Sequence, residues 1–198
     1  MAKLLALTNV TLDGVMQAPG HPDEDRRDGF IHGGWAEPFG AMQTVGAAFA
    51  DVDAILFGRW TYESFSDAWG AHPDTPFSAF FMGIPKYVAS TTLAAPLVWA
   101  NSILLSGDIA HAVRQLKDEQ ANTILVLGSG VLLQSLMQAN LVDELVLLIH
   151  PLVLGSGRRL FPDGSACAAL HLVTSTTTPT GVIVATYTAP GPTREHRG

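Results

Sequence analysis

Cysteine is almost missing from this chain. Cys167 stands alone among 198 residues, which excludes an internal disulfide and a cysteine-built metal site. Charge is also sparse. Charged residues make up 15% of the chain against 47% hydrophobic residues, and the formal net charge is −7. That balance favours a packed globule over disorder. No run of Lys and Arg is longer than a pair, so the basic stripe of a nucleic-acid surface is absent. Apolar runs are broken by Gly, Asp or Pro within about ten residues, too short to span a bilayer. The opening MAKLLALTNVTLDG reads as a first strand and not as a signal peptide. A cytoplasmic protein is expected, with no nucleic-acid or membrane partner, and any anionic ligand must be gripped by single arginines and backbone N–H groups.

What is present is a strand–helix alternation. Residues 3–10 read as a buried strand, and 12–37 as a long loop rich in Gly, Pro and Asp, a kind of loop that is usually functional or disordered. Met42, Val45 and Phe49 predict a helix over about 40–50. Strands at 53–57, 87–89, 103–105 and 123–127 follow, with helices at 60–68, after Asp108 as N-cap, and at 130–139, closed by Asn140. The last helix is apolar nearly all round, which predicts burial. Strands at 144–154, 168–177 and 181–188 then succeed one another without helices, the last two joined by a Thr-Pro-Thr-Gly turn. Alternation implies parallel crossovers, and the ending implies antiparallel strands. The expected fold is a three-layer α/β domain over residues 1–189. It has a mixed, mostly parallel central sheet, helices on both faces and an antiparallel C-terminal hairpin. The tail 190–198 is expected to be disordered.

Two strand-to-helix junctions carry chemistry. Gly128-Ser129-Gly130 ends one apolar run and begins another. Glycines at such a junction let the backbone approach a phosphate, beside a helix N-terminus rich in free N–H groups. A tight turn needs glycine equally. Leu133 stands where a dinucleotide fingerprint has its third glycine, and no Gly-Lys-Ser/Thr follows, so neither common phosphate motif is complete. The second junction, ILFGRWTYESF at 55–65, puts Arg59 where a guanidinium can pair bidentately with a phosphate. Ser90-Thr91-Thr92 follow a third strand. In a parallel sheet these strand ends share one edge, where ligands bind, and three such loops suit a ligand with separated phosphates.

TLDG at 11–14, GRWTYE at 58–63, PKYVAST at 85–91, GSG at 128–130 and LVDELVLLIHPLVLGSGRRLF at 141–161, in this order, resemble the dihydrofolate reductase-like superfamily. The pattern is most similar to the reductase domain of riboflavin biosynthesis and its stand-alone relatives. The resemblance spans about residues 3–188 and implies an NADPH-dependent reductase. It would act on a C=N or C=O bond of a small, phosphoribosylated or heterocyclic substrate, of the 5-amino-6-(5-phosphoribosylamino)uracil reductase type. By it, Arg59 faces the adenosine 2′-phosphate, with Ser90 and Thr91 beside it. Trp60 and Thr61 meet the pyrophosphate, and Gly128, Ser129 and Gly130 cover it from the other side. Asn9 and Asp13 lie near the nicotinamide. Asp13 and Glu37 are the carboxylates to which the resemblance points for catalysis, Glu37 being the acid nearest the first helix. Leu127 stands where the riboflavin reductases usually carry a glutamate. Dihydrofolate reduction and NADPH binding without turnover are the alternatives. These families often dimerise, and a homodimer through the C-terminal third is expected.

The remaining candidates have plain structural readings beside functional ones. Trp35 and Phe39 either stack on a flat substrate or anchor the long loop. His21, His32, Asp23 and Asp25 match no zinc spacing, so no metal is expected. Arg158 is the substrate candidate of the Arg158-Arg159 pair, since adjacent residues of an extended segment face opposite ways. His150 reads as a core or interface histidine, and Cys167 as a buried filler.

Overall fold

A computed structural model describes residues 1–69, 76–165 and 167–189. The expected tail and His72 fall outside these residues. The chain opens with β1 (Lys3–Thr11) and closes its first βα unit with β2 (Val52–Gly58), α1 (Arg59–Trp69) and α2 (Pro76–Gly83). Next come β3 (Lys86–Ala89), β4 (Ser102–Leu105), α3 (Ile109–Glu119), β5 (Thr123–Leu127), α4 (Gly130–Gln138) and β6 (Glu144–His150). β7 (His171–Thr177) and β8 (Ile183–Thr188) complete one eight-stranded sheet. Its order is β4-β3-β2-β5-β1-β6-β8-β7. The first six strands of that order run parallel. β8 is antiparallel to β6, and β7 to β8. This is the mixed, mostly parallel sheet with a terminal hairpin that the sequence pattern predicts.

Alternation along β1 builds the layers. Leu4, Ala6 and Val10 enter one apolar cluster with Val113 and Leu116 of α3 and Leu133 and Leu136 of α4. Leu5 and Leu7 enter the opposite cluster with Tyr62 of α1 and Phe81 of α2. Strands buried on both faces read as unbroken apolar runs, and all five residues of β5 are buried. Asp108 caps α3, its carboxylate accepting from the His111 N–H at 3.0 Å. Asn140 takes a left-handed φ of 53° just past α4, a conformation that asparagine tolerates well.

Several details depart from the sequence reading. Residues 41–49 form a 3-10 segment kinked at Val45 instead of an α-helix. α2 occupies what reads only as a short apolar turn. β6 stops at His150, because Pro151 has no N–H to continue the ladder. α4 is not buried all round, since Val131 is 71% exposed. Cys167 is exposed and not a core filler. The loop after β1 is ordered around its own small core of Val15, Ala18, Phe30 and Trp35. Among the described residues no helix is long and apolar enough to cross a membrane. No group of three or more His, Cys, Asp or Glu among them is placed to hold a metal ion.

Candidate active site

The C-terminal ends of β1, β2, β3 and β5 open into one cleft of about 1550 Å³. Its walls include Asn9, Glu37, Arg59, Trp60, Thr61, Ser90, Thr91, Gly128, Ser129, Gly130 and Arg158. Most of the residues nominated from sequence therefore meet in space, although they come from six separate stretches of chain.

The two glycine junctions are bonded to each other. Ser129 Oγ donates to the Leu127 carbonyl at 2.9 Å and accepts the Gly58 N–H at 3.0 Å. The Ser129 N–H donates to Thr61 Oγ1 at 3.2 Å. Gly128 and Ser129 both adopt left-handed φ, 52° and 53°. The Ser129 side chain thus shapes the turn, and it leaves the first N–H groups of α4 uncapped. Those N–H groups carry the positive end of the helix dipole. Gly130 faces the cleft directly: a Cβ there would lie 2.3 Å from Met16 Sδ. Met16, from the loop after β1, covers the turn.

Arginines dominate the walls. Among the described residues Arg59 makes a long ion pair with Glu63, 3.8 Å, and its guanidinium lies 4.7 Å from the Trp60 ring centroid. Arg27 lies 4.1 Å from the same ring, so the long loop reaches across to α1. Arg27 is neutralised by Asp25. Arg158 is likewise taken up, with Nε and Nη2 both donating to Asp28 Oδ2 at 3.1 and 2.8 Å. Arg159 instead donates Nε to the Asp13 carbonyl at 2.9 Å. Arg159, not the nominated Arg158, is the cleft arginine of that pair with no carboxylate partner among the described residues. Ser90 Oγ accepts the N–H groups of Thr92 and Leu93 at 3.1 and 3.0 Å, holding the loop after β3 in a turn.

Three nominated residues serve the architecture. Asp13 does not line the cleft. Its carboxylate accepts from Thr11 Oγ1 and from the Gly155 and Leu154 N–H groups. The Thr11 hydrogen bond, with the backbone ones behind it, holds its pKa below the usual carboxylate value. An aspartate so committed clamps the loop, outside the cleft. Trp35 is buried, with its indole N–H given to the Gln17 carbonyl at 2.7 Å. Phe39, like Trp35, meets the His150 ring edge to face at 5.1 Å. Neither ring lines the cleft; Trp35 belongs to the loop's own core and Phe39 packs against the cluster that holds Tyr62 and Phe81. Glu37 does reach the cleft, from a short 3-10 turn and not from a helix. Glu24, also in the wall, has its pKa raised by burial.

Met16, Gln17 and Arg27 escape a reading by sequence, and His150 and Arg159 are given no role at the site by it. Gln17 accepts the Arg158 N–H and donates to the carbonyls of Asp25 and Arg27. No motif signals such a bridge.

Comparisons with known proteins bear on the family and the fold. The curated Bacillus subtilis (strain 168) protein YyaP, an uncharacterized protein, is 31% identical over 172 residues, 81% of this chain and 88% of its own. A putative riboflavin biosynthesis protein from Shewanella sp. PV-4 superposes with TM-score 0.69 at 21% identity, covering 96% of this chain and 100% of that one. Dihydrofolate reductase from Enterococcus faecalis, complexed with NADP(H), superposes with TM-score 0.61 at 13% identity, covering 96% and 97%. Residues 2–184 match the RibD C-terminal domain, and the chain belongs to that family.

Proposed function

We propose that the protein is an NADPH-dependent reductase that passes hydride to a C=N or C=O bond of a small heterocyclic or phosphoribosylated substrate. The reading is carried by the order of groups along the sheet edge. Arg59 and Ser90 stand at β2 and β3, the Gly-Ser-Gly turn at β5 and Asn9 on β1. Strands lie about 4.8 Å apart, so these groups spread over about 14 Å. An extended dinucleotide can lie along that line with its 2′-phosphate on Arg59, its pyrophosphate at α4 and its nicotinamide beside Asn9. The residues fit the cofactor: Arg59 is only loosely paired, and the α4 N–H groups lack a cap. The cleft is larger than the usual pocket for one small ligand, which leaves room for a second molecule.

When bound, the nicotinamide supplies the hydride. The chain's part is to hold and orient. Arg59 would hold a phosphate dianion, the guanidinium groups of Arg27 and Arg59 both lie against the Trp60 ring, and Met16 lies over the phosphate turn. Glu37 is the carboxylate proposed to supply a proton to the substrate. Dihydrofolate reduction is disfavoured because residues 41–49, AMQTVGAAF, contain no acid. Binding without turnover is the second reading, favoured by Leu127 at the place of the family's usual glutamate. We also propose a homodimer, from the exposed edge strand β7, which presents Leu172 and Val173.

Fluorescence titration tests the reading. Arg59→Ala is expected to weaken NADPH binding by about 1.5–3 kcal/mol, the scale of a charge-assisted hydrogen bond, and to leave NADH binding nearly unchanged. Equal losses for both nucleotides would overturn the assignment. NADPH that binds but is not oxidised with any reducible heterocycle tried supports the second reading.

A further inference from the structure

Most buried polar side chains here have structural partners. Lys86 Nζ donates to the carbonyls of Phe81 and Ile84. Lys117 Nζ donates to Leu141 and Asp143. His150 does not fit that account. It is fully buried, yet among the described residues its Nδ1 has no hydrogen-bond partner. Its Nε2 lies 2.9 Å from Asn9 Oδ1, and the rings of Trp35 and Phe39 enclose it.

These facts assign the proton. A proton on Nδ1 would leave a buried N–H with no acceptor, which folded proteins rarely tolerate. An imidazolium would bury that orphan N–H together with a charge. The proton therefore sits on Nε2, and Nε2–H donates to Asn9 Oδ1. The amide of Asn9 is fixed by that bond: its oxygen points inward and its NH₂ points away from His150. Among the described residues the one hydrogen-bond contact of that NH₂ is Met42 Sδ at 4.0 Å, a weak acceptor. Asn9 and Met42 both line the cleft.

We propose that His150 is a positioning residue that holds the Asn9 amide N–H groups toward the cleft, where they receive the carboxamide oxygen of the nicotinamide. The identity of that oxygen rests on the NADPH reading above; the orientation of Asn9 does not. A rigid donor at this place selects for an acceptor and against a donor, because an unpaired N–H facing the ligand would cost affinity. Burial pushes the His150 pKa down to about 4, so the arrangement is constant across neutral pH.

Long-range ¹H–¹⁵N NMR of the labelled, ligand-free protein at neutral pH reads the tautomer directly. A proton on Nε2 and none on Nδ1 is expected. A proton on Nδ1 overturns the orientation, whatever the protein binds. Titrations with two probes, NADPH and 2′-phospho-ADP-ribose, which lacks only the nicotinamide, then test the contact. Asn9→Asp keeps the shape and removes the donor. It is expected to lose at least about tenfold in NADPH affinity while its affinity for 2′-phospho-ADP-ribose stays nearly the same. His150→Phe should behave alike. His150→Gln, which offers an amide N–H at similar reach, should restore most of the NADPH affinity, with melting temperatures recorded for each variant. Unchanged NADPH affinity in Asn9→Asp, or an equal loss for both probes, overturns the proposal. A wild-type protein that binds neither probe refutes the NADPH reading and the carboxamide with it, and the tautomer still decides the Asn9 orientation separately.

Discussion

At the scale of single residues, His150 ties the site to stability. Its pKa is about 4 in the fold because burial disfavours the charged ring, against 6.5 in an unfolded chain. Between those values the unfolded chain binds a proton that the folded chain refuses. Stability should therefore rise with pH from about 4 to about 6.5 and be lost as pH falls through that window, by up to about 3 kcal/mol. Urea melts at neutral pH and at about pH 4.5 check this, with His150→Phe as the control. The variant should show a distinctly shallower pH dependence, and equal slopes would refute the assignment. Acids with lowered pKa values, such as Asp13 and Asp53, add to the slope in both proteins and cancel in the comparison. Sequence alone reads His150 only as a core or interface histidine, because its partner Asn9 is 141 residues away. The same limit explains Arg158 and Arg159. An extended segment sends them to opposite faces, but only the fold brings Asp28 to Arg158 and, among the described residues, no carboxylate to Arg159. Residues at strand ends, such as Arg59 and Gly128, are legible because local pattern and site coincide there.

At the scale of elements, legibility follows periodicity. β1 and β5 are buried on both faces and α3 has a cap, so each is announced locally. α2, PFSAFFMG, is nearly all apolar and has no period to read. In the 41–49 segment, Met42, Val45 and Phe49 fit a helix, but Val45 at φ −104° breaks it. Neither signal could reveal that the loop after β1 folds back onto α4 and lays Met16 against Gly130. That contact refines what the Gly-Ser-Gly turn does. Gly130 has an ordinary φ, while the left-handed strain sits at Gly128 and Ser129. A side chain at Gly130 thus meets the flexible end of Met16 and not backbone. Gly130→Val is expected to fold with a small loss of melting temperature and to bind NADPH at least about tenfold more weakly, about 1.4 kcal/mol. Met16→Ala in the same background should recover melting temperature but not affinity, since valine still fills the phosphate cradle. A Gly130→Val protein that binds NADPH normally would show the turn to be architecture alone.

At the scale of the molecule, the sheet is covered unevenly. Helices and the 3-10 segment bury its parallel strands, but β7 is exposed at every position. Leu172 and Val173 on it are 56% and 57% exposed, and Ile183 on β8 is 40% exposed. An outer strand with open N–H and C=O groups and apolar side chains pairs with other chains unless something blocks it. β7 carries no Lys, Glu or Pro among its residues HLVTSTT, and the irregularity of its edge is the register shift between Leu172 and Thr174. A second copy of the same strand satisfies both the hydrogen bonds and the apolar patch with two-fold symmetry. The cleft lies at the strand ends of β1, β2, β3 and β5, away from this edge, so dimerisation leaves it open. Multi-angle light scattering at micromolar concentration is expected to give a dimer. Val173→Lys should place like charges opposite each other across the symmetric pair and yield a monomer with unchanged NADPH affinity. A wild-type monomer at that concentration would sink the proposal. A Val173→Lys dimer would move the interface to another surface.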